Sequence, residues 1–152
     1  MLYIGADHRG FYLKEQIKKY LDGKKISYKD MGNTEYNKDD DYPDFAYLVA
    51  RLVLRSGGNR GILICGSGIG VAIVANKFRG IRAGCARTAQ EIKCARNDDN
   101  INVLCLSGDE MSIQKVRAMI DPFLGIPFSL AKRHRRRIEK IRFIEEGKWK
   151  PK

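Results

Sequence analysis

The stretch Gly61-Ile-Leu-Ile-Cys-Gly-Ser-Gly-Ile-Gly70 decides the fold. It opens as a short apolar run of the kind that forms a strand buried on both faces. Its glycines ask for a tight turn, and the residues through Asn76 read as helix. A strand that leaves through such a turn into a helix is part of a crossover unit, and the flanking sequence repeats the pattern. Upstream, Leu2-Tyr-Ile-Gly-Ala6 is a buried strand, and after Asp7-His8-Arg9-Gly10 the period turns helical, with Leu13, Ile17, Tyr20 and Leu21 on one face. Lys25-Ile-Ser-Tyr-Lys29 supplies another strand and Gly32 to Asp41 a polar loop. Pro43 fits the first turn of a helix carrying Phe45, Leu48, Val49, Leu52 and Val53. Downstream, Ile81-Arg-Ala-Gly-Cys-Ala86 and Ile101-Asn-Val-Leu-Cys-Leu106 are strands four and five, and Ala89 to Arg96 and Ser112 to Phe123 are helices. Pro122 and Pro127 bracket a break before a last helix, in which Ile138, Ile141, Phe143 and Ile144 form an apolar stripe among basic residues.

This alternation predicts an α/β protein, a single Rossmann-like (flavodoxin-like) domain whose five-stranded parallel sheet is covered on both faces and joined by right-handed crossovers. In such sheets ligands bind outside the carboxyl ends of the strands, so Asp7 to Gly10 and Cys65 to Gly70 should face one crevice. The domain is expected over 1–146, with 147–152 a basic, disordered tail.

The 152 residues, 43% hydrophobic and 31% charged, suit one domain and rule out wholesale disorder or a collagen-like chain. No apolar run approaches the roughly 20 residues that cross a bilayer. The start, Met-Leu-Tyr-Ile-Gly-Ala-Asp, has no basic n-region or apolar h-region, so a cytoplasmic protein is expected. The formal charge of +11 is uneven: from Ala131 onward ten Lys or Arg stand against three Glu. The four cysteines, Cys65, Cys85, Cys94 and Cys105, show no C-x-x-C spacing, and with His8 and His134 as the two histidines they do not suggest a zinc site.

The turn from Cys65 to Gly70 aims backbone N–H groups at one spot where negative charge is favoured. Val71 stands where dinucleotide-binding loops have their third Gly and where a phosphatase-type loop has its Arg, and no Walker Lys follows. The plain alternative is a turn whose glycines only let strand and helix pack. Cys65, at a helix start, has the setting of a reactive thiol, whereas Cys85, Cys94 and Cys105 read as small core residues. Asp7 and His8 offer a carboxylate and an imidazole to the same edge, and Asp7 fits equally well as a cap on the following helix. Arg133, His134 and Arg137 sit on adjoining helical positions that can converge on a phosphate, form a solvated basic face, or make a nucleic-acid patch. No aromatic stacking platform accompanies that run, which argues against nucleic acid.

Taken in order, Gly5-Ala-Asp-His-Arg-Gly10 with Leu13-Lys14, Asp41-Tyr-Pro43, Gly61 to Gly70, Ala75-Asn-Lys-Phe-Arg-Gly-Ile-Arg82, Asn102-Val-Leu104 and Arg133-His134 with Arg137 make a specific set. By these motifs the chain resembles the type B ribose-5-phosphate isomerase and galactose-6-phosphate isomerase family, from Leu2 to about Glu145. The resemblance implies reversible aldose–ketose isomerisation of a phosphorylated sugar, ribose 5-phosphate to ribulose 5-phosphate first, without metal or organic cofactor. It implies a homodimer, sometimes paired into a tetramer, with the C-terminal helix exchanged or packed at the interface and active sites shared between subunits. Carried over residue by residue, Cys65 is the base that moves a proton between C2 and C1, and Gly66, Ser67, Gly68, Ile69 and Gly70 hold the enediolate oxygens. Asp7 assists ring opening, Tyr42 and Ser67 contact sugar hydroxyls, His8 contacts substrate or phosphate, and Arg133, His134 and Arg137 bind phosphate from the other subunit. Members lacking this Cys place a Glu at the position of Val71, so the chain resembles the Cys-base branch.

Two departures stand out. In Asn97-Asp-Asp-Asn-Ile101, Asp98 occupies the place of the family's ring-opening His, which makes Asp98 a catalytic candidate with Asp99 and Asn100 beside it as substrate-binding residues. An Asp with its ordinary pKa of ~3.9 is a poor acid at neutral pH unless burial raises it. At Ser107-Gly-Asp-Glu110, Asp109 replaces a phosphate-binding Arg, which weakens phosphate binding or changes the substrate. Two alternatives stay open: a six-carbon substrate, allose 6-phosphate or galactose 6-phosphate, or a silenced relative that binds a sugar phosphate without turnover.

Overall fold

The computed structural model describes residues 1–151. The strands are β1 (Leu2–Ala6), β2 (Tyr28–Asp30), β3 (Arg60–Cys65), β4 (Ala83–Cys85) and β5 (Val103–Ser107). They alternate with α1 (Phe11–Gly23), α2 (Tyr42–Val53), α3 (Ile69–Ala75), α4 (Ala89–Asp99) and α5 (Ile113–Gly125), and α6 (Lys132–Glu145) follows. The strands pair in parallel in the order β2-β1-β3-β5-β4.

Period-two alternation divides the core into two layers. Ile4, Ile62, Ile64, Leu104 and Leu106 point to one face, where α1, α4 and α5 bring Leu13, Ile17, Ile92, Val116, Ile120 and Phe123. Tyr3, Leu63, Cys65, Val103 and Cys105 point to the other, under Val49 and Val53 of α2 and Val71 and Ala75 of α3. The α/β class and the five parallel strands are as the sequence implies, but β5 lies between β3 and β4 where a flavodoxin-like order would run 3-4-5. Burial explains the swap: β5 is buried at every position and suits the interior, whereas β4 has three half-covered or exposed residues and suits an edge.

Several boundaries differ from those expected, two of them for evident local reasons. Lys25 takes a positive φ of 56° in the turn after α1, so β2 starts only at Tyr28. The expected break at Pro122 is absent, because α5 runs through it to Gly125. The missing N–H removes one intrahelical bond, but Met119, Ile120 and Phe123 are buried on both sides of the proline, and packing holds the turn.

Helix α6 crosses the edge of the sheet where strands begin. Its first turn packs against the end of α4, and near its last turn the Glu145 carboxylate accepts the Gly80 N–H at 3.0 Å just ahead of β4. A Schellman turn closes it: Gly147, at φ 67°, donates its N–H to the Ile144 carbonyl, and Lys148 donates to that of Phe143. Trp149 then lies against Lys140, 4.9 Å from Nζ to the ring centroid. The last residue of the expected tail, 152, is outside the described residues. Ile141 and Ile144 of the apolar stripe face outward.

Candidate active site

Strand order reverses between β1 and β3, since the chain leaves β1 for β2 on one side and β3 takes the other. The register sets Ala6 beside Ile64 and Cys65 beside Ser107, so the exits of three strands open together at the switch point. A crevice of about 320 Å³ lies there, and Asp7, His8, Tyr42, Cys65, Ser67 and Gly70 line it.

Cys65 is 4% exposed, and its sulfur accepts the Gly68 N–H at 3.2 Å. Gly68 needs its missing side chain: its φ is 78°, and a Cβ would stand 2.9 Å from the carbonyl carbon of Leu106. The exit of β5 holds the turn from below. Ser107 Oγ donates to the Gly66 carbonyl at 2.6 Å and Gly108 N–H to that of Cys65 at 2.8 Å. Part of the expected anion cradle is already engaged, because the Gly68 amide faces the thiol and the Ile69 amide faces Ser67 Oγ at 3.2 Å. Tyr42, first residue of α2, lays its ring across Gly70, where a Cβ would come within 2.9 Å of it.

Asp7 is buried, and its Oδ1 accepts the Gly10 N–H at 3.0 Å, so it closes the turn before α1 while lining the crevice. Burial pushes its pKa above the ordinary carboxyl value, against the lowering pull of that amide and of His8. His8 is held by a residue the sequence reading missed. Asp40 Oδ1 accepts both the His8 backbone N–H and Nδ1 at 2.8 Å, and Asn33 Nδ2 donates to Oδ2 at 3.0 Å. The hydrogen bond to Asp40 holds the imidazole pKa above its ordinary value, so His8 keeps its positive charge to higher pH. The loop bearing Asp40 is anchored in turn by Lys14, whose fully buried Nζ donates to Asp30 at 2.6 and 2.8 Å and to the Asn33 carbonyl at 2.7 Å.

The remaining candidates gather elsewhere. Asp98, Asp99 and Asn100 end α4 at the strand-start edge, where the next residues run into β5 and Asn102 O accepts the Gly61 N–H. Asn100 caps α4 at φ 49°, with Oδ1 accepting from Arg96 and its carbonyl from Arg82. His134, expected as a phosphate ligand, is 1% exposed. Its Nδ1 lies 2.6 Å from Ser129 Oγ and its Nε2 3.5 Å from Asp98, so it ties α6 to α4 and does not face solvent. Arg133 and Arg137 are exposed beside it. One chain thus joins Asp7, His8, Tyr42, Cys65 and Ser67, and holds Asp98, Asp99, Asn100, Arg133 and Arg137 at the opposite edge of the sheet. Of the cysteines read as core, only Cys105 is buried, while Cys85 and Cys94 are exposed. A hydrogen bond from Cys105 lowers the Cys85 thiol to about 7.

Among the described residues no group of three or more His, Cys, Asp or Glu is placed to hold a metal ion, and no helix is long and apolar enough to cross a membrane. A thiol, a buried carboxyl and a carboxylate-backed imidazole gather at the switch point of a doubly wound parallel α/β sheet, a set of groups suited to acid–base chemistry. The family model described as Ribose/Galactose Isomerase matches residues 2–141, and the chain belongs to that family of isomerases. It is 41% identical over 141 residues to a probable ribose-5-phosphate isomerase B of Mycoplasma genitalium, covering 92% of each chain. It is 36% identical over 138 residues to ribose-5-phosphate isomerase B of Mycobacterium tuberculosis, covering 91% of this chain and 85% of the other. Among solved structures, ribose-5-phosphate isomerase B from Mycoplasma genitalium with bound ribulose-5-phosphate matches with a TM-score of 0.90 at 40% identity over 95% of each chain. The Thermotoga maritima ribose 5-phosphate isomerase matches at 0.87 and 39%, over 92% of this chain and 95% of that one.

Proposed function

We propose that the protein interconverts ribose 5-phosphate and ribulose 5-phosphate through an enediolate, with Cys65 as the base. The observation that carries this reading is the Cys65 sulfur, set in the crevice against a backbone amide with Asp7, His8, Tyr42 and Ser67 around it. The hydrogen beside a sugar carbonyl is weakly acidic, so its removal needs a base and, next to it, fixed donors for the charge that develops on oxygen. Cys65 takes the proton from C2 and returns it to C1. Ser67 and the amides of the turn left free by Cys65 and Ser67 receive the enediolate, and Tyr42 orients the sugar hydroxyls. Ring opening falls to Asp7, which lines the same crevice as Cys65 and whose carboxyl burial holds above its ordinary pKa.

Arg133 and Arg137 bind the phosphate of a neighbouring subunit's substrate in a homodimer, which can pair further, and buried His134 positions their helix. Their distance from Cys65 within one chain supports this arrangement, since a second copy is needed to bring the two groups together. Because a sugar phosphate is too polar to cross a bilayer unaided, the enzyme belongs with its substrates in the cytoplasm.

Proton NMR with ribose 5-phosphate in D2O tests the reading. The wild type forms ribulose 5-phosphate and exchanges the C2 hydrogen, and Cys65→Ser loses both by about 100-fold or more. Full turnover in Cys65→Ser removes the thiol from its role. A wild type silent on ribose 5-phosphate but active on a six-carbon sugar phosphate moves the substrate assignment.

A further inference from the structure

A crevice that takes a dianionic substrate is lined here by three acids, Asp7, Asp40 and Asp41, and its imidazole is already held by Asp40. The other cationic side chain lining it is Arg9. Arg9 leaves the end of β1 and reaches across to the exit of β5, where Asp109 grips one edge of the guanidinium. Nε donates to Oδ1 at 3.3 Å and Nη2 pairs with Oδ2. The guanidinium itself lies over the turn after β3: a Cβ at Gly66 would stand 2.6 Å from its carbon and from Nε and 2.9 Å from Nη1. Glycine at 66 thus clears a bed for the guanidinium, and Asp109 fixes its direction.

Folding does not account for this arrangement. The Arg9 and Asp109 side chains are 58% and 39% exposed, and an ion pair so open to water contributes little to stability. A planar fork with five N–H donors, two of them taken by Asp109, keeps three for a ligand, and the fork matches a phosphate better than a lysine would. Asp109, which reads in the sequence as the loss of a cation from the site, brings one into it.

We propose that Arg9, aligned by Asp109, binds the substrate phosphate and sets the preference for phosphorylated over plain sugars. The inference rests on the sugar-phosphate reading of the crevice. In this role Arg9 contacts the substrate, and Asp109 is a positioning residue acting through it.

NMR titration separates the two ideas, because it reads binding whether or not turnover follows. Wild type, Arg9→Gln and the charge-matched control Arg117→Gln are titrated with ribose 5-phosphate and with ribose, and turnover is measured in parallel. Arg9→Gln should weaken ribose 5-phosphate about tenfold or more and leave ribose unchanged, while Arg117→Gln follows the wild type. Arg9→Lys should recover part of the loss, and Asp109→Asn should raise KM more than it lowers kcat. Unchanged ribose 5-phosphate binding in Arg9→Gln, or an equal loss for ribose, overturns the assignment even if the wild type isomerises well. Conversely, an Arg9-dependent affinity in a wild type that never turns over sustains the assignment and sinks the isomerase reading.

Discussion

Asp7 answers two demands that pull its charge in opposite directions. As a turn closer it needs only an acceptor for the Gly10 N–H, but in the proposed role of ring-opening acid it needs a proton near neutral pH. Its raised pKa means that the folded state binds this proton more tightly than the unfolded chain does. Ionised Asp7 therefore opposes folding above that pKa, and its contribution to stability improves as the pH falls through it. Asp7→Asn keeps the acceptor and removes the charge. We expect ribose 5-phosphate turnover to fall about 100-fold and the melting temperature at pH 7 to rise, by activity assay and calorimetry. A lower melting temperature with intact turnover would reassign Asp7 to capping alone. Asp7, His8, Tyr42, Cys65 and Ser67 were legible in the sequence because each lies at a strand exit or helix start inside a compact motif. Asp40 and the Arg9–Asp109 pair were not, since their partners stand 32 and 100 positions away and only the sheet brings them together. The acidic run Asp39-Asp40-Asp41 ahead of Tyr42-Pro43 was the one signal that could have pointed to a carboxylate partner for His8.

At the scale of elements, the apolar runs specify the strands, while context decides where they stop and which are neighbours. The swap of β4 and β5 follows from burial, which a three-residue strand reveals only once folded. Lys14 shows the same dependence. On α1 it reads as one polar position among apolar ones, yet it is fully buried and joins that helix to the end of β2 and to the loop leading to Asp40. Burial disfavours charge on Asp30, but the ion pairs with Lys14 and Lys18 outweigh this and hold its carboxyl below the ordinary value. Lys14→Met leaves Asp30 to Lys18 alone and the Asn33 carbonyl without its donor. The expected loss is about 3 kcal/mol in urea unfolding at pH 7, the lower end for breaking a buried pair, because Lys18 remains. A carboxyl with a lowered folded pKa stabilises above its unfolded pKa and loses that contribution as pH falls through the folded one. The difference between wild type and Lys14→Met should accordingly narrow below about pH 4. A gap that stays constant into acid would show that packing and not charge makes Lys14 matter.

For the molecule as a whole, the decisive feature is that its candidate site residues are divided between opposite edges of one sheet. Thiol, carboxyl and imidazole stand where strands end, and Asp98, Arg133 and Arg137 stand where they begin, with α6 leaving Ile141 and Ile144 uncovered beside its arginines. A two-fold pairing that covers those isoleucines can carry each chain's arginines to its neighbour's crevice, and subunit mixing tests whether it does. On the proposed roles, Cys65→Ser lacks the base and Arg133→Gln with Arg137→Gln lacks the neighbour's share of the phosphate contacts, so each variant should be nearly inactive alone. In a mixed dimer with shared sites, one crevice collects both lesions and the other collects none. After unfolding and refolding together in equal amounts, random pairing should restore roughly a quarter of wild-type turnover, since half the dimers are mixed and each has one intact site. If every site were built from a single chain, every crevice in the mixture would keep a lesion and turnover would stay at the level of the separate variants.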